Sequence, residues 1–306
     1  MKLFIVFVLL SLSMAGLAPL VTAIGYSDQI VIGSNIYNVV LASNIYTVTA
    51  NSVNIYTNSN PRTAIQKALD LASKSGGIVN LETLTYIVDG RINIGRNTHL
   101  KGAGIYKSII KLKDYTPKFS LAGIIRSSKN IHDFIISQLT DDWNRLNQRD
   151  SDTYGLFGIF TEIYNNIWFD FVKVINWQGY GLDGFTLDMT NYIHVEKCIA
   201  YDNLRHGYNI VTGSKNVVIT NSQAYNNGRS GTSGCGITAQ NNGNYKTNTV
   251  EFTNNNIKNN RYGICVNDVY NVKILNNVID NKTVCFQFTK TRNVEVQGTN
   301  CRTKKS

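Results

Sequence analysis

The chain has 306 residues, 16% of them charged and 43% hydrophobic, with 30 Lys and Arg against 20 Asp and Glu for a formal net charge of +10. Beyond the first residues no stretch is long enough to span a bilayer, and no two of the five cysteines have zinc spacing, so a polytopic membrane protein and a structural zinc module are excluded. The surface residues are Asn, Thr, Ser, Gly and Tyr, and a basic chain of this kind meets acidic polysaccharide, nucleic acid or a negative cell envelope.

Met1-Lys2, the apolar run from Leu3 to about Leu12, and Val21-Thr22-Ala23 read as a secretory signal peptide cleaved after Ala23, with a retained anchor as the alternative. No span remains after cleavage, and the protein is expected outside the cell. Asn-Ile-Tyr recurs at 35–37, 44–46 and 54–56, so residues 24–60 read as short strands and turns, an arm lying along the main domain. Its tyrosines either pack on that domain or bind sugar rings. Asn60-Pro61 then opens a helix with an N-cap followed by proline at the first helical position. Ile65, Ala68, Leu69 and Ala72 form its apolar face, and Ser75-Gly76-Gly77 ends it. The helix is expected over 61–74 as a cap on the main domain.

The rest of the chain is built on a repeat. Apolar pairs recur at Ile167/Phe169, Ile193/Val195, Val217/Ile219, Val250/Phe252, Val272/Ile274 and Val294/Val296, with first members 26, 24, 33, 22 and 22 residues apart by subtraction. Seven residues after a first member stands Val174, Ala200, Ala224, Ile257 or Ile279, and ten after it Asn203, Asn227 or Asn260. Short alternating apolar pieces separated by Asn and Gly, without a helical stripe, mark stacked strands. The fold expected is all-β: a single right-handed parallel β-helix, a solenoid over 61–300 with a short N-terminal capping helix. The asparagines are expected to align in a turn ladder with rungs about 4.8 Å apart. Length would allow two domains, but a continuous repeat makes one. Of Cys198, Cys235, Cys265, Cys285 and Cys301, Cys265 and Cys285 occupy matching contexts in neighbouring coils. A bridge between them and a pair of stacked free thiols both stay open.

From Thr63 the pieces Ala64-Ile-Gln-Lys-Ala68, Gly76-Gly77, Tyr86-Ile-Val88, Leu100-Lys-Gly-Ala-Gly104 and Ile109-Ile-Lys-Leu112 resemble the start of secreted pectate-lyase-like β-helices. Gly123-Ile-Ile-Arg126, Leu139-Thr-Asp-Asp142-Trp-Asn-Arg145, Gly179-Tyr-Gly-Leu-Asp183 and Arg205-His206-Gly-Tyr-Asn209-Ile-Val-Thr212 look like the catalytic module of mannuronan C5-epimerases, over about residues 62–290. That resemblance implies an alginate-type substrate and abstraction of the C5 proton of a uronic acid. Epimerisation returns a proton to the opposite face; a lyase instead expels the 4-linked sugar. The family carries Tyr-Gly-Phe-Asp-Pro-His on one coil and a supporting lysine upstream. Tyr180 and Asp183 fall on its Tyr and Asp, Phe185 on its His, and Tyr154-Gly-Leu-Phe-Gly-Ile-Phe160 carries no lysine.

Gly181 and Gly207 each lie 14 residues after Ile167 and Ile193, respectively. Equal offsets predict Tyr180 in register with His206 and Asp183 above Asn209. The candidate catalytic residues are therefore Tyr180, His206, Asp183 and Arg205, with Tyr180 and His206 exchanging protons, Asp183 orienting them and Arg205 holding a carboxylate. His206 is one of four histidines and could titrate near neutrality. Arg126, Asp142, Arg145 and Asn209 are the candidate substrate-binding residues of one shallow basic groove. No metal ligands are assigned; Ca2+ enters through the resemblance alone, since no dense aspartate cluster demands it. The expected partner is an acidic polysaccharide rather than nucleic acid, and a monomer is expected. Two other functions compete: a noncatalytic surface or attachment protein using the same groove, and a polygalacturonase-like hydrolase with paired carboxylates such as Asp141-Asp142.

Overall fold

The computed structural model describes residues 30, 32–116, 123–127, 131–148, 158–162, 165–176, 183–228, 234–241 and 243–303. The expected signal peptide lies outside them. The expected helix is present as α1, Pro61–Ser75. The Asn60 side chain accepts from the Thr63 backbone N–H at 3.3 Å, and Pro61 costs nothing where an N–H would have no intrahelical partner. Ala64, Ile65, Ala68, Leu69 and Ala72 are buried along one side.

Residues 35–58 do not lie along the side of the domain. They form a three-stranded antiparallel meander, β1 (Asn35–Ala42), β2 (Ile45–Ala50) and β3 (Val53–Asn58), whose first strand pairs in parallel with Gly77–Leu81. Ser43-Asn44 and Asn51-Ser52 all have positive φ, the backbone of tight two-residue hairpins that match strand twist. The three Asn-Ile-Tyr tyrosines turn toward the domain. Tyr37 is hydrogen-bonded to Ser75 Oγ at 3.0 Å, Tyr46 packs on Tyr86 at 5.9 Å between centroids, and Tyr56 lies under Lys67. The meander and α1 together close the end of the solenoid, where open strand edges would otherwise invite pairing.

The body is the parallel β-helix, with three faces per coil. The apolar pairs fix the first face: Ile167, Ile193, Val217, Val250, Val272 and Val294 stand in one register column, and Phe169, Val195, Ile219, Phe252, Ile274 and Val296 in the next. The second face carries the column Val174, Ala200, Ala224, Ile257, Ile279. The third face stacks Ile92–Ile94, Ile125–Ser127, Ile159–Glu162, Phe185–Asp188, Tyr208–Val211, Cys235–Gln240, Tyr262–Asn267 and Val284–Thr289. Inside, Phe134, Phe169, Phe185 and Tyr208 form an aromatic run, the last two stacked at 4.9 Å. A right-handed crossover is the geometry that lets twisted parallel strands succeed one another in this way.

Asparagine closes the corners. Between the second and third faces the Asn203 backbone N–H donates to Asn227 Oδ1, that of Asn227 to Asn260 Oδ1, and that of Asn260 to Asn281 Oδ1, at 2.9–3.1 Å. The same side chains give Nδ2 back to the Ala200 and Ala224 carbonyls. A second ladder, Ser222–Asn255–Asn277–Thr299, closes the corner between the first and second faces. Its members stand five residues after each first apolar member, a period the sequence carries beside the seven and the ten. Each rung satisfies a buried backbone N–H that would cost about 1–3 kcal/mol if orphaned.

The cysteines do not form the Cys265–Cys285 bridge. Cys235 bonds Cys265, Cys285 bonds Cys301, and Cys198 is a buried thiol. Cys265 stands opposite Gln287 and not Cys285, because the matching contexts are displaced by two residues in register.

Candidate functional site

The site grows from the corner that leads into the third face. Gly184 and Gly207 lie in register there, with Gly184 N–H donating to the His206 carbonyl at 2.9 Å and Gly207 N–H to that of Cys235 at 3.0 Å. A Cβ on Gly184 would stand 2.7 Å from the Gly207 oxygen, and one on Gly207 2.5 Å from the Gly236 oxygen. Only glycine lets successive coils approach so closely, so the residue before each glycine is held tightly against the next coil.

Those residues are Asp183 and His206, and this changes the expected register. Asp183 stands over His206, and Thr186 over Asn209. The equal offset of 14 fails because the two coils differ in length within this corner, where residues can be added without disturbing the strand columns. The Asp183 side chain nevertheless reaches Asn209. It is fully buried, and its carboxylate gathers five donors. Oδ1 accepts from Arg205 Nε at 2.8 Å and the His206 backbone N–H at 3.1 Å; Oδ2 accepts from Arg205 Nη2 at 2.7 Å, Asn209 Nδ2 at 2.7 Å and Thr186 Oγ1 at 3.3 Å. The fork of the guanidinium thus meets the fork of the carboxylate. Arg205 itself keeps 29% of its side chain exposed. Gln240 Nε2 extends the network to Asn209 Oδ1 at 3.0 Å.

His206 is 4% exposed and does not line an open groove. Its Nδ1 accepts from the Cys235 backbone N–H at 3.0 Å, so the neutral ring carries its proton on Nε2. Burial pushes its pKa down to about 4, with Asp183 opposing and Arg205 reinforcing the shift. It is therefore neutral at pH 7 rather than poised near neutrality. Tyr180 lies outside the described residues. Phe185, at the place of the family histidine, is a core residue with no exposed surface.

Asp183, Arg205, His206 and Asn209 come together; the remaining candidates are spread along the fold. Arg126 shares the third face. It donates from Nη2 to Glu162 Oε2 at 2.8 Å and lies 5.2 Å from the Phe160 ring centroid. Asp142 stands on the second face, its Oδ1 accepting from the Asn144 backbone N–H and from Asn176 Nδ2. Arg145 pairs with Asp202 at 3.1 Å on the corner between them. The carboxylate pair Asp141-Asp142 does not exist as a site. Adjacent strand residues point to opposite faces, and Asp141 is sealed in the core between Ile110 and Val174.

Sequence reasoning missed Thr186, Gln240, Glu162 and Asp188. Glu162 and Asp188 stand in register on the third face. Burial raises the Asp188 pKa, a Thr212 hydrogen bond opposes that, and Glu162 reinforces it. The available signal was position: each lies three residues into a third-face strand, on the outward side with respect to Ile159 and Phe185. Among the described residues no group of three or more His, Cys, Asp or Glu is arranged to hold a metal ion.

Residues 144–279 match the family described as the right-handed β-helix region. Mannuronan C5-epimerase AlgE2 of Azotobacter vinelandii is 31% identical over 211 residues, which cover 56% of this chain and 21% of that protein. Alginate lyase 7 of the same organism is 34% identical over 190 residues, 51% of this chain and 22% of the relative. The chain thus spans about a fifth of the length of these relatives. Among solved structures, the A-module of A. vinelandii mannuronan C-5 epimerase AlgE6 aligns with a TM-score of 0.62 and 28% identity, over 78% of this chain and 71% of the module. The Streptococcus pneumoniae surface adhesin PfbA, at a TM-score of 0.58 and 19% identity over 72% of this chain and 63% of its own, shares the fold alone.

Proposed function

We propose that this chain engages an acidic uronate polysaccharide beside the third face and acts on it by C5-proton abstraction, with Arg205 and Arg126 receiving carboxylates. The Asp183 knot carries this reading. It fixes a partly exposed guanidinium, suited to meet charge that develops on a uronate carboxylate as its α-proton leaves. Similarity to mannuronan C5-epimerases and to an alginate lyase supports the substrate class. His206, buried beside Arg205, is not the base, because its Nδ1 lone pair is already taken. Tyr180 is left to move the proton. A single group working from one side suits elimination, whereas epimerisation needs a second donor on the opposite face. The two disulfides fit an oxidising compartment, so we place the protein outside the cell, as a monomer.

One observation favours a noncatalytic relative of this reading, a protein that binds the polymer as an attachment device. Asp183 is fully engaged by its donors, and His206, with Nδ1 already taken, stays neutral near pH 7. Incubating the protein with polymannuronate in D2O separates the cases. C5 deuteration without chain cleavage shows epimerisation. New ultraviolet absorbance from unsaturated chain ends shows lyase action. Retention of the polymer with neither change leaves binding alone. Arg205→Ala should abolish whichever turnover is seen, and turnover that survives it at the parental rate removes the site assignment.

A further inference from the structure

Around the corner from the Asp183 knot, the outward side of the second face carries aromatic rings that the proposed reaction does not use. Ile175, Tyr201, Tyr225 and Lys258 stand in one register column, coil after coil. The Tyr201 and Tyr225 rings stack at 4.4 Å between centroids with an interplanar angle of 29°. Above them Lys173 places its ammonium 4.8 Å from the ring centroid of Tyr106 and 5.9 Å from that of Tyr201. Tyr106 is 70% exposed. A tyrosine held over an ammonium at that exposure adds little to the core, so fold stability does not account for its place.

We propose that this strip, Tyr106, Lys173, Tyr201 and Tyr225 with Lys111 and Lys258 at its ends, is an accessory docking site for an acidic polysaccharide that takes no part in bond chemistry. The ligand class rests on the proposed uronate substrate, but the residues and the face are different. Three features select a charged sugar chain. Tyr106, 70% exposed, offers open ring surface to the C–H face of a pyranose, and the stacked Tyr201 and Tyr225 set ring edges and phenols beside it. The column advances about 4.8 Å per coil, close to the span of one linked sugar, so successive rings meet successive units. The charge is complementary: the strip carries Lys111, Lys173 and Lys258, while Asp142, beside Lys111, has its Oδ1 occupied by Asn144 and Asn176, and Asp280 stands only beyond Lys258. The lysines favour a carboxylate-bearing glycan over a neutral one. Burial lowers the Lys173 pKa and Asp142 pulls it back up, which fits a cation held between rings. Binding here would keep a polymer on the protein while the site across the corner works on it.

The test is affinity electrophoresis of the full chain in gels containing sodium alginate, polygalacturonate or a neutral cellulose derivative. Tyr106→Ala, Lys173→Gln and the double variant Tyr201→Ala/Tyr225→Ala are compared with Arg205→Ala, with thermal melts to check folding. The first two change partly exposed side chains and report even where the double variant unfolds. We expect the parent to be retarded by the two acidic polymers only. The double variant should bind roughly tenfold more weakly, Tyr106→Ala and Lys173→Gln severalfold more weakly, and Arg205→Ala should lose turnover while keeping most of the retardation. Retardation of the strip variants equal to that of the parent overturns the strip and leaves the uronate reading standing. A parent that ignores both acidic polymers overturns the uronate reading itself, and the strip's ligand with it.

Discussion

Among the described residues, Asp141 and Asp183 are completely buried, and they live in opposite circumstances. Asp183, on the corner before the third face, has five donors on its two oxygens. Asp141 occupies the core column of Val174 and Ala200, and neither of its oxygens makes a hydrogen bond of ordinary geometry; the Ile125 backbone gives it slight relief. Burial, reinforced by Asp142, raises its pKa well above the ordinary 3.8. A buried carboxylate is tolerable with a guanidinium and amides around it, and without them it survives as the neutral acid. The first arrangement builds a site and the second only weakens a coil.

The largest effect should come from breaking the well-partnered region. Asp183→Ala leaves the Arg205 guanidinium, Asn209 Nδ2 and the His206 N–H without their acceptor. It should cost about 3 kcal/mol in urea unfolding, as expected when one partner of a buried pair is removed. A loss within experimental error would mean that the knot is decorative.

Next comes the acid limb. His206 has a folded pKa depressed to about 4 against an ordinary 6.5. Its contribution to stability is present above 6.5 and is lost as pH falls from 6.5 through 4, by at most about 3 kcal/mol. His206→Gln can keep an acceptor for the Cys235 N–H without titrating, so its melting temperature should fall less than the parent's between those pH values. Parallel curves would show that His206 is not the group responsible.

The smallest effect has the opposite sign. Asp141→Leu should raise stability at pH 7 by about 1–2 kcal/mol, since it replaces an unpartnered acid by an apolar side chain. The Asp141 pKa is raised on folding, so its favourable contribution exists below 3.8 and drains away as pH rises from there toward the folded value. The gain of Asp141→Leu over the parent should therefore grow with pH. A variant that is less stable than the parent at pH 7 would mean that Asp141 has a partner after all.

These two aspartates also mark where the sequence can be read and where it cannot. Asp142 and Asp141 are adjacent letters with identical chemistry, and only the strand alternation sends one outward and the other into the core. Extending the repeat back one coil aligns Phe134 with Ile167 and places Asp141 at the position of Val174. Asp183 and His206 stand out as candidates because Gly179-Tyr-Gly-Leu-Asp183 and Arg205-His206-Gly207 are distinctive runs. Their roles do not stand out, because a carboxylate surrounded by donors and an imidazole facing a backbone N–H look the same in sequence as free acid–base groups.

What the sequence determined by itself is the solenoid. Apolar pairs, the seven-residue column, the corner asparagines and the N-cap with its proline each act locally or between coils one period apart, so a periodic pattern suffices to place them. The corner into the third face was decided only by the tertiary structure. Coil lengths there differ by a few residues without shifting the strand columns, so the partners of Asp183 and His206 depend on how each loop closes. Hydrogen bonding in the strands fixes register to the residue; a corner is held only by the side chains that happen to meet across it, and those meetings exist in space rather than in spacing.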